Sequence, residues 1–124
     1  MRIVFTAKER KKELLFRFCA AYRSNLSVHK LFATSGTARA LKETGLILVP
    51  FLNGAVGGYQ QIASKVSCGE IDLVVFFRDA SAFNVDNPLE GEIIKSCDFY
   101  NVPLATNIAT AEILVRALKE RGFS

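Results

Sequence analysis

The 124 residues are enough for one domain with a proper core, and with half of them hydrophobic and 23% charged the chain reads as globular. Apolar runs such as Leu73–Phe77 are far too short to cross a bilayer, and Lys8–Glu13 is charged where a signal peptide would need an apolar segment. A formal charge of +4, with no basic stripe interleaved with aromatics, suits an anionic small ligand and gives no case for nucleic acid.

Strands and helices are predicted to alternate throughout, as in a parallel sheet covered on both faces. Arg2–Thr6 is the first strand. A helix follows from Lys8 to about Arg23, with Leu14, Leu15, Phe18, Cys19 and Tyr22 at helical spacing. His29–Ala33 is a short second strand, and its histidine falls on the rim opposite the ligand-bearing loops, which suits a structural role. Thr37 to about Thr44 is a helix ended by Gly45, with Ser35 or Thr37 as the candidate cap. Leu46–Leu52 is the third strand, and Pro50 within it favours a sheet edge.

Three glycines among residues 54–58 then form a turn before a helix over Tyr59–Cys68. Such a turn lets the backbone approach a phosphate or carboxylate closely. Leu73–Phe77 is wholly apolar, as a strand buried on both faces requires. A loop over Arg78–Pro88, a helix over Leu89–Tyr100, a strand over Val102–Ala105 and a helix from Ala109 to about Arg121, capped by Asn107, complete the chain. Cys19, Cys68 and Cys97 lack metal-ligand spacing and read as core or near-core thiols, so no metal and no cofactor is expected.

In an open parallel sheet ligands bind beyond the carboxyl ends of the strands. Polar residues gather at those ends here: Lys8–Lys12, the Thr34-Ser35-Gly36-Thr37 turn, the Asn53-Gly54 turn, Arg78 with Asp79, and Thr106 with Asn107. Hydroxyls, amides and a lysine on one rim point to an anion pocket.

The segments LFATSGTA (31–38), FLNGAVGGYQQIASKVSCGEIDLVVFFRD (51–79) and VPLATNIATAE (102–112) strongly resemble the methylglyoxal synthase family, and the resemblance runs essentially end to end. It implies a three-layer α/β/α sandwich around a five-stranded parallel sheet of order 3-2-1-4-5, and a homohexamer. It also implies conversion of dihydroxyacetone phosphate to methylglyoxal and inorganic phosphate. The family's phosphate-holding lysine matches Lys11. The outer threonines of its ATGTT match Thr34 and Thr37, around Ser35 and Gly36, and its SGP turn matches Asn53-Gly54-Ala55. The aspartate of its FFxDP matches Asp79. The proton-moving half does not carry over. The catalytic carboxylate of GGDQQ is replaced by Tyr59, AHD becomes Thr6-Ala7-Lys8, and PHDPD becomes Val85-Asp86-Asn87-Pro88-Leu89.

A tyrosine, with a reference pKa of about 10, is a poor base at neutral pH, and no histidine remains to polarise a carbonyl. Glu9, Asp86 and Glu90 are nearby carboxylates, each at a different backbone position. The expected protein is therefore a methylglyoxal synthase-like, cytoplasmic homo-oligomer. It binds a small phosphorylated ligand or inorganic phosphate at Lys11, Thr34, Thr37 and Gly54, without the usual synthase catalysis and without a nucleic-acid or membrane partner. Tyr59 would pack on the ligand or be a plain helix residue, and Asp79 would hold the loops or touch ligand hydroxyls. The alternatives are an active or divergent methylglyoxal synthase, a carbon–oxygen lyase, and a regulatory module for a nucleotide or other anion.

Overall fold

The apolar run Leu73–Phe77 forms a strand whose every residue is buried, and the rest of the sheet is laid out around it. The computed structural model describes residues 1–81 and 88–120. Its strands are β1 (Arg2–Ala7), β2 (Lys30–Thr34), β3 (Leu48–Phe51), β4 (Leu73–Phe77) and β5 (Leu104–Ala105). They form one parallel sheet in the order β3-β2-β1-β4-β5, with Phe5 opposite Ala33 on one side and Val75 on the other. The expected order 3-2-1-4-5 is the one observed.

Alternation along the central strands feeds two cores. Ile3, Phe5, Leu73, Val75 and Phe77 face a layer containing Leu15, Phe18 and Cys19 of α1 (Lys12–Ala21) and Ala111 and Val115 of α6 (Ile108–Glu120). Val4, Val74 and Phe76 face α4 (Gly58–Ser67) and α5 (Pro88–Tyr100), which contribute Ile62, Val66, Ile93 and Cys97. Short helices α2 (Arg23–Leu26) and α3 (Ser35–Ala40) complete the connections. Among the described residues no helix is long and apolar enough to cross a membrane.

The turn chemistry acts as expected at several points. Gly45 ends a 3-10 turn over Lys42–Thr44 with φ +79°, a left-handed conformation that a Cβ would strain. Asn107 Oδ1 accepts from the Thr110 N–H at 3.0 Å, which caps α6. Pro50 lies in β3 opposite Ala33, on the sheet edge that its missing N–H favours. His29 precedes β2 on the far rim, 8% exposed, and its Nδ1 lies 2.9 Å from the Met1 ammonium.

Three expectations change. The first helix is preceded by a 3-10 turn over Glu9–Lys11, so the α-helix proper begins at Lys12. Neither Ser35 nor Thr37 caps α3; β2 runs straight into it, Thr34 occupies the cap position and its hydroxyl is used elsewhere. Cys68 is exposed, whereas Cys19 and Cys97 are buried as expected, and all three are free thiols.

Candidate functional site: a hydroxyl-lined recess at the strand ends

The carboxyl ends of β1 and β2 and the turn after β3 enclose a recess of about 220 Å³. It is lined by Thr6, Ala7, Lys8, Glu9, Lys12, Thr34, Thr37, Asn53, Gly54 and Tyr59. A larger hollow of about 390 Å³ lies beside His29 and Ile47 at the other end of the strands, but it gathers fewer polar groups. The smaller recess is where the chemistry converges.

Its floor is a chain of buried hydroxyls. Thr34 Oγ1 donates to Thr37 Oγ1 at 3.0 Å, and the Ala7 N–H donates to the same oxygen at 3.2 Å. Thr6 Oγ1 lies 2.9 Å from Thr34 Oγ1. A hydroxyl carries one proton and two lone pairs. Thr34 spends its proton on Thr37, so Thr6 is the donor between the first two. Thr37 Oγ1 accepts twice, which leaves its own O–H to point away from both partners. The floor is thus wired so that one hydroxyl proton remains for an acceptor in the recess.

Two ammonium groups reach the same space. Lys12 Nζ pairs with Glu9 at 2.7 Å, and a Cβ on Gly36 would sit 3.1 Å from that nitrogen. A glycine at the start of α3 therefore gives the lysine its passage over the helix. Lys8 continues β1 through its N–H bond to the Phe77 carbonyl at 3.1 Å. Its Nζ lies 3.6 Å from Glu90 Oε2, a carboxylate only 2% exposed, reaching over from the first turn of α5.

The turn after β3 closes the recess. Asn53 Oδ1 accepts from the Gly54 N–H at 3.1 Å, and the Asn53 carbonyl accepts from Gly58 N–H at 2.9 Å. Gly57 takes φ +115°, and a Cβ on Gly58 would meet the Leu52 carbonyl oxygen at 2.2 Å, so both positions require glycine. Gly54 is pressed against Tyr59, since an added Cβ would lie 2.6 Å from the ring. The Tyr59 ring also packs on Phe76, with centroids 5.7 Å apart. Burial, with Glu90 adding to it, pushes the Tyr59 phenol above its ordinary pKa. It stays protonated at neutral pH and can donate but not abstract a proton.

Of the residues read as candidates from sequence, Thr34, Thr37, Asn53, Gly54 and Tyr59 come together here, with Gly36 beneath Lys12. Three do not. Lys11 closes the 3-10 turn and, with Arg10, lies near enough to Asp79 to favour its ionised form; Lys12 holds the place expected of Lys11. A 3-10 turn advances three residues per turn instead of 3.6, which changes which lysine faces the rim. Ser35 opens onto a separate shallow hollow with Arg39, Lys42 and Pro50. Asp79 Oδ1 accepts from the Ser81 N–H at 2.9 Å, a bond that lowers its pKa and ties its own loop. Val85, Asp86 and Asn87 lie outside the described residues.

Thr6, Lys8 and Lys12 were absent from the expected set. A threonine following the apolar run Ile3–Phe5 at the end of the first strand was the available signal for Thr6. Nothing in the spacing of Lys8 and Glu90 announced their pairing. Among the described residues no group of His, Cys, Asp and Glu could hold a metal ion.

Residues 15–106 match the MGS-like domain family. The chain is 46% identical over 123 residues to a methylglyoxal synthase of Caldicellulosiruptor saccharolyticus, covering 98% of this chain and 86% of that protein. It is 43% identical over 124 residues to a methylglyoxal synthase of Lysinibacillus sphaericus, covering 99% and 92%. A crystal structure of methylglyoxal synthase from Elizabethkingia anophelis NUHP1 matches with a TM-score of 0.82 at 30% identity, covering 92% of this chain and 76% of that one.

Proposed function

The chain belongs to the MGS-like domain family, and from that premise we propose that its recess binds a small phosphate ester without the proton-transfer set usual in the family. One observation carries this reading. The buried Thr6-Thr34-Thr37 chain and the Lys8 and Lys12 ammoniums converge on a space where the replaced carboxylate position holds a protonated phenol. Phosphate oxygens accept charge-assisted hydrogen bonds from such donors. Dihydroxyacetone phosphate, the substrate that the family resemblance implies, is a small dianionic ester of the kind this recess of about 220 Å³ would take. The Gly54 N–H is already satisfied by Asn53, so a phosphate would contact that turn through the Asn53 amide or by displacing its oxygen. In this reading the protein is cytoplasmic and self-associates; the exposed apolar residues Ile47, Leu52 and Val56 around the β3 edge support the self-association.

Thermal unfolding with inorganic phosphate, glycerol phosphate and dihydroxyacetone phosphate tests it. At 100 times its dissociation constant a ligand adds ~2.7 kcal/mol. For a chain of this length that is a rise of roughly 10 °C in Tm. Lys12→Met reduces the shift. Methylglyoxal release from dihydroxyacetone phosphate stays at background. Absence of any shift, or clear methylglyoxal production with phosphate release, overturns the proposal.

Glu90 favours a second reading, turnover of a carbonyl phosphate by other means. It is a buried carboxylate within reach of Lys8 and close enough to raise the Tyr59 pKa.

A further inference from the structure

Tyr59 has a polar end that the fold leaves unused. The residue is only 7% exposed, yet among the described residues no group accepts a hydrogen bond from its O–H. A hydroxyl taken out of water without a partner costs free energy, so its presence calls for a reason. The phenol end lies at the recess: an added Cβ on Gly54 would sit 3.0 Å from its oxygen, and both residues are in the lining. Packing on Phe76 and against the Gly54 turn holds the ring in one place. The other tyrosines are used differently, since Tyr22 donates to Glu112 at 3.0 Å and Tyr100 stands at the surface.

The donors of the recess fall at two ends. Lys12 Nζ and Asn53 Oδ1 lie 3.1 and 3.5 Å from the point a Gly36 Cβ would occupy, at the start of α3 and next in sequence to Thr37. Lys8 and Tyr59 form the other end, where Glu90 stands 3.6 Å from Lys8 and near enough to raise the Tyr59 pKa. Lys8, as an ammonium beside that carboxylate, offers protons and accepts none. The end holding the phenol therefore suits a ligand oxygen that brings no proton of its own. A ligand hydroxyl could take the phenol proton, but its own proton would then need an acceptor.

We propose that Tyr59 makes the recess selective for a phosphate ester with a carbonyl on the carbon beside the ester-bearing one, the phenol donating a hydrogen bond to that carbonyl oxygen. This rests on the phosphate-ester reading, in which Thr37 and Lys12 hold the phosphate. No covalent bond changes; Tyr59 recognises the ligand and does not transform it. Inorganic phosphate has no atom to place at the phenol end, so it binds without using Tyr59.

Isothermal titration of the full chain and of Tyr59→Phe with dihydroxyacetone phosphate, glycerol phosphate and inorganic phosphate tests this. Phenylalanine keeps the ring and its packing and removes one oxygen. The unaltered protein is expected to bind dihydroxyacetone phosphate about fivefold more tightly than glycerol phosphate, which has a hydroxyl at the same carbon. Tyr59→Phe weakens dihydroxyacetone phosphate about tenfold, abolishes that preference and leaves inorganic phosphate within about twofold. A near-ultraviolet difference spectrum of the unaltered protein reads the contact without any variant: a tyrosine band appears with dihydroxyacetone phosphate and not with inorganic phosphate. Equal affinity for the two esters, an unchanged ester affinity in Tyr59→Phe, an equal weakening of inorganic phosphate, or the absence of the band overturns the role of Tyr59. If the unaltered protein binds none of the three compounds, the phosphate-ester reading itself falls.

Discussion

Replacing Thr37 by valine keeps the volume of the side chain and removes one oxygen. That oxygen accepts from Ala7 N–H at 3.2 Å and from the Thr34 hydroxyl at 3.0 Å, at a position only 1% exposed. Valine leaves the Ala7 donor buried without an acceptor, which costs about 1–3 kcal/mol. The Thr34 hydroxyl can rotate toward Thr6, so its loss adds only about 0.5–1 kcal/mol. Thr37→Val is therefore expected to destabilise by about 1.5–4 kcal/mol. Thr37→Ser keeps the oxygen and loses one buried methyl, about 1 kcal/mol. Urea unfolding of the three proteins gives the comparison, provided the slope against urea is unchanged. If valine lies within about 0.5 kcal/mol of the parent, the Ala7 N–H does not depend on this hydroxyl and the wiring argument fails. If serine costs as much as valine, the methyl and not the oxygen matters.

Gly54→Ala drives a methyl to 2.6 Å from the Tyr59 ring and is expected to cost about 1–3 kcal/mol. Adding Tyr59→Leu should recover part of this in a double-mutant cycle, and strict additivity would deny the clash. The Arg2 guanidinium, hydrogen-bonded to Asp72, holds that carboxyl below the usual carboxylate range. Its stabilisation is present above about pH 4 and is lost as pH falls through the lowered folded value. Both partners are partly exposed, so Asp72→Asn should remove no more than about 1 kcal/mol, and only that part of the acid dependence, in urea melts at falling pH. Burial pushes the Cys19 thiol up to about 12 and the Cys97 thiol to about 11, while Cys68 is exposed. A disulfide reagent at neutral pH should therefore modify Cys68 quickly and the other two only on unfolding; rapid native labelling of Cys19 would contradict its placement.

The parts of this fold legible in the sequence are those set by local chemistry. Leu73–Phe77 could only be an interior strand, Gly45 and Asn107 mark helix ends by their own conformational and capping preferences, and Pro50 belongs at an edge. The resemblance located the rim turns and pointed to Lys11, whereas the lysine of that turn lining the recess is Lys12. Residues 11 and 12 both fit a helical stripe, and only the 3-10 turn over Glu9–Lys11 selects between them. Ser35 looked equivalent to its threonine neighbours until β2 ran without a loop into α3, turning its side chain to another hollow. The Lys8–Glu90 pair joins elements 82 positions apart in the chain, a relation that periodicity does not carry.

The only imidazole in the chain has a consequence for any acidity profile measured on the recess. His29 precedes β2, and at about 3.3 Å per residue it is roughly 17 Å from Thr34 at the other end. Ligand affinity between about pH 5 and pH 8 should follow the second ionisation of the phosphate itself, near 6, with no inflection owed to the protein's histidine. Substituting His29 should leave that curve where it was.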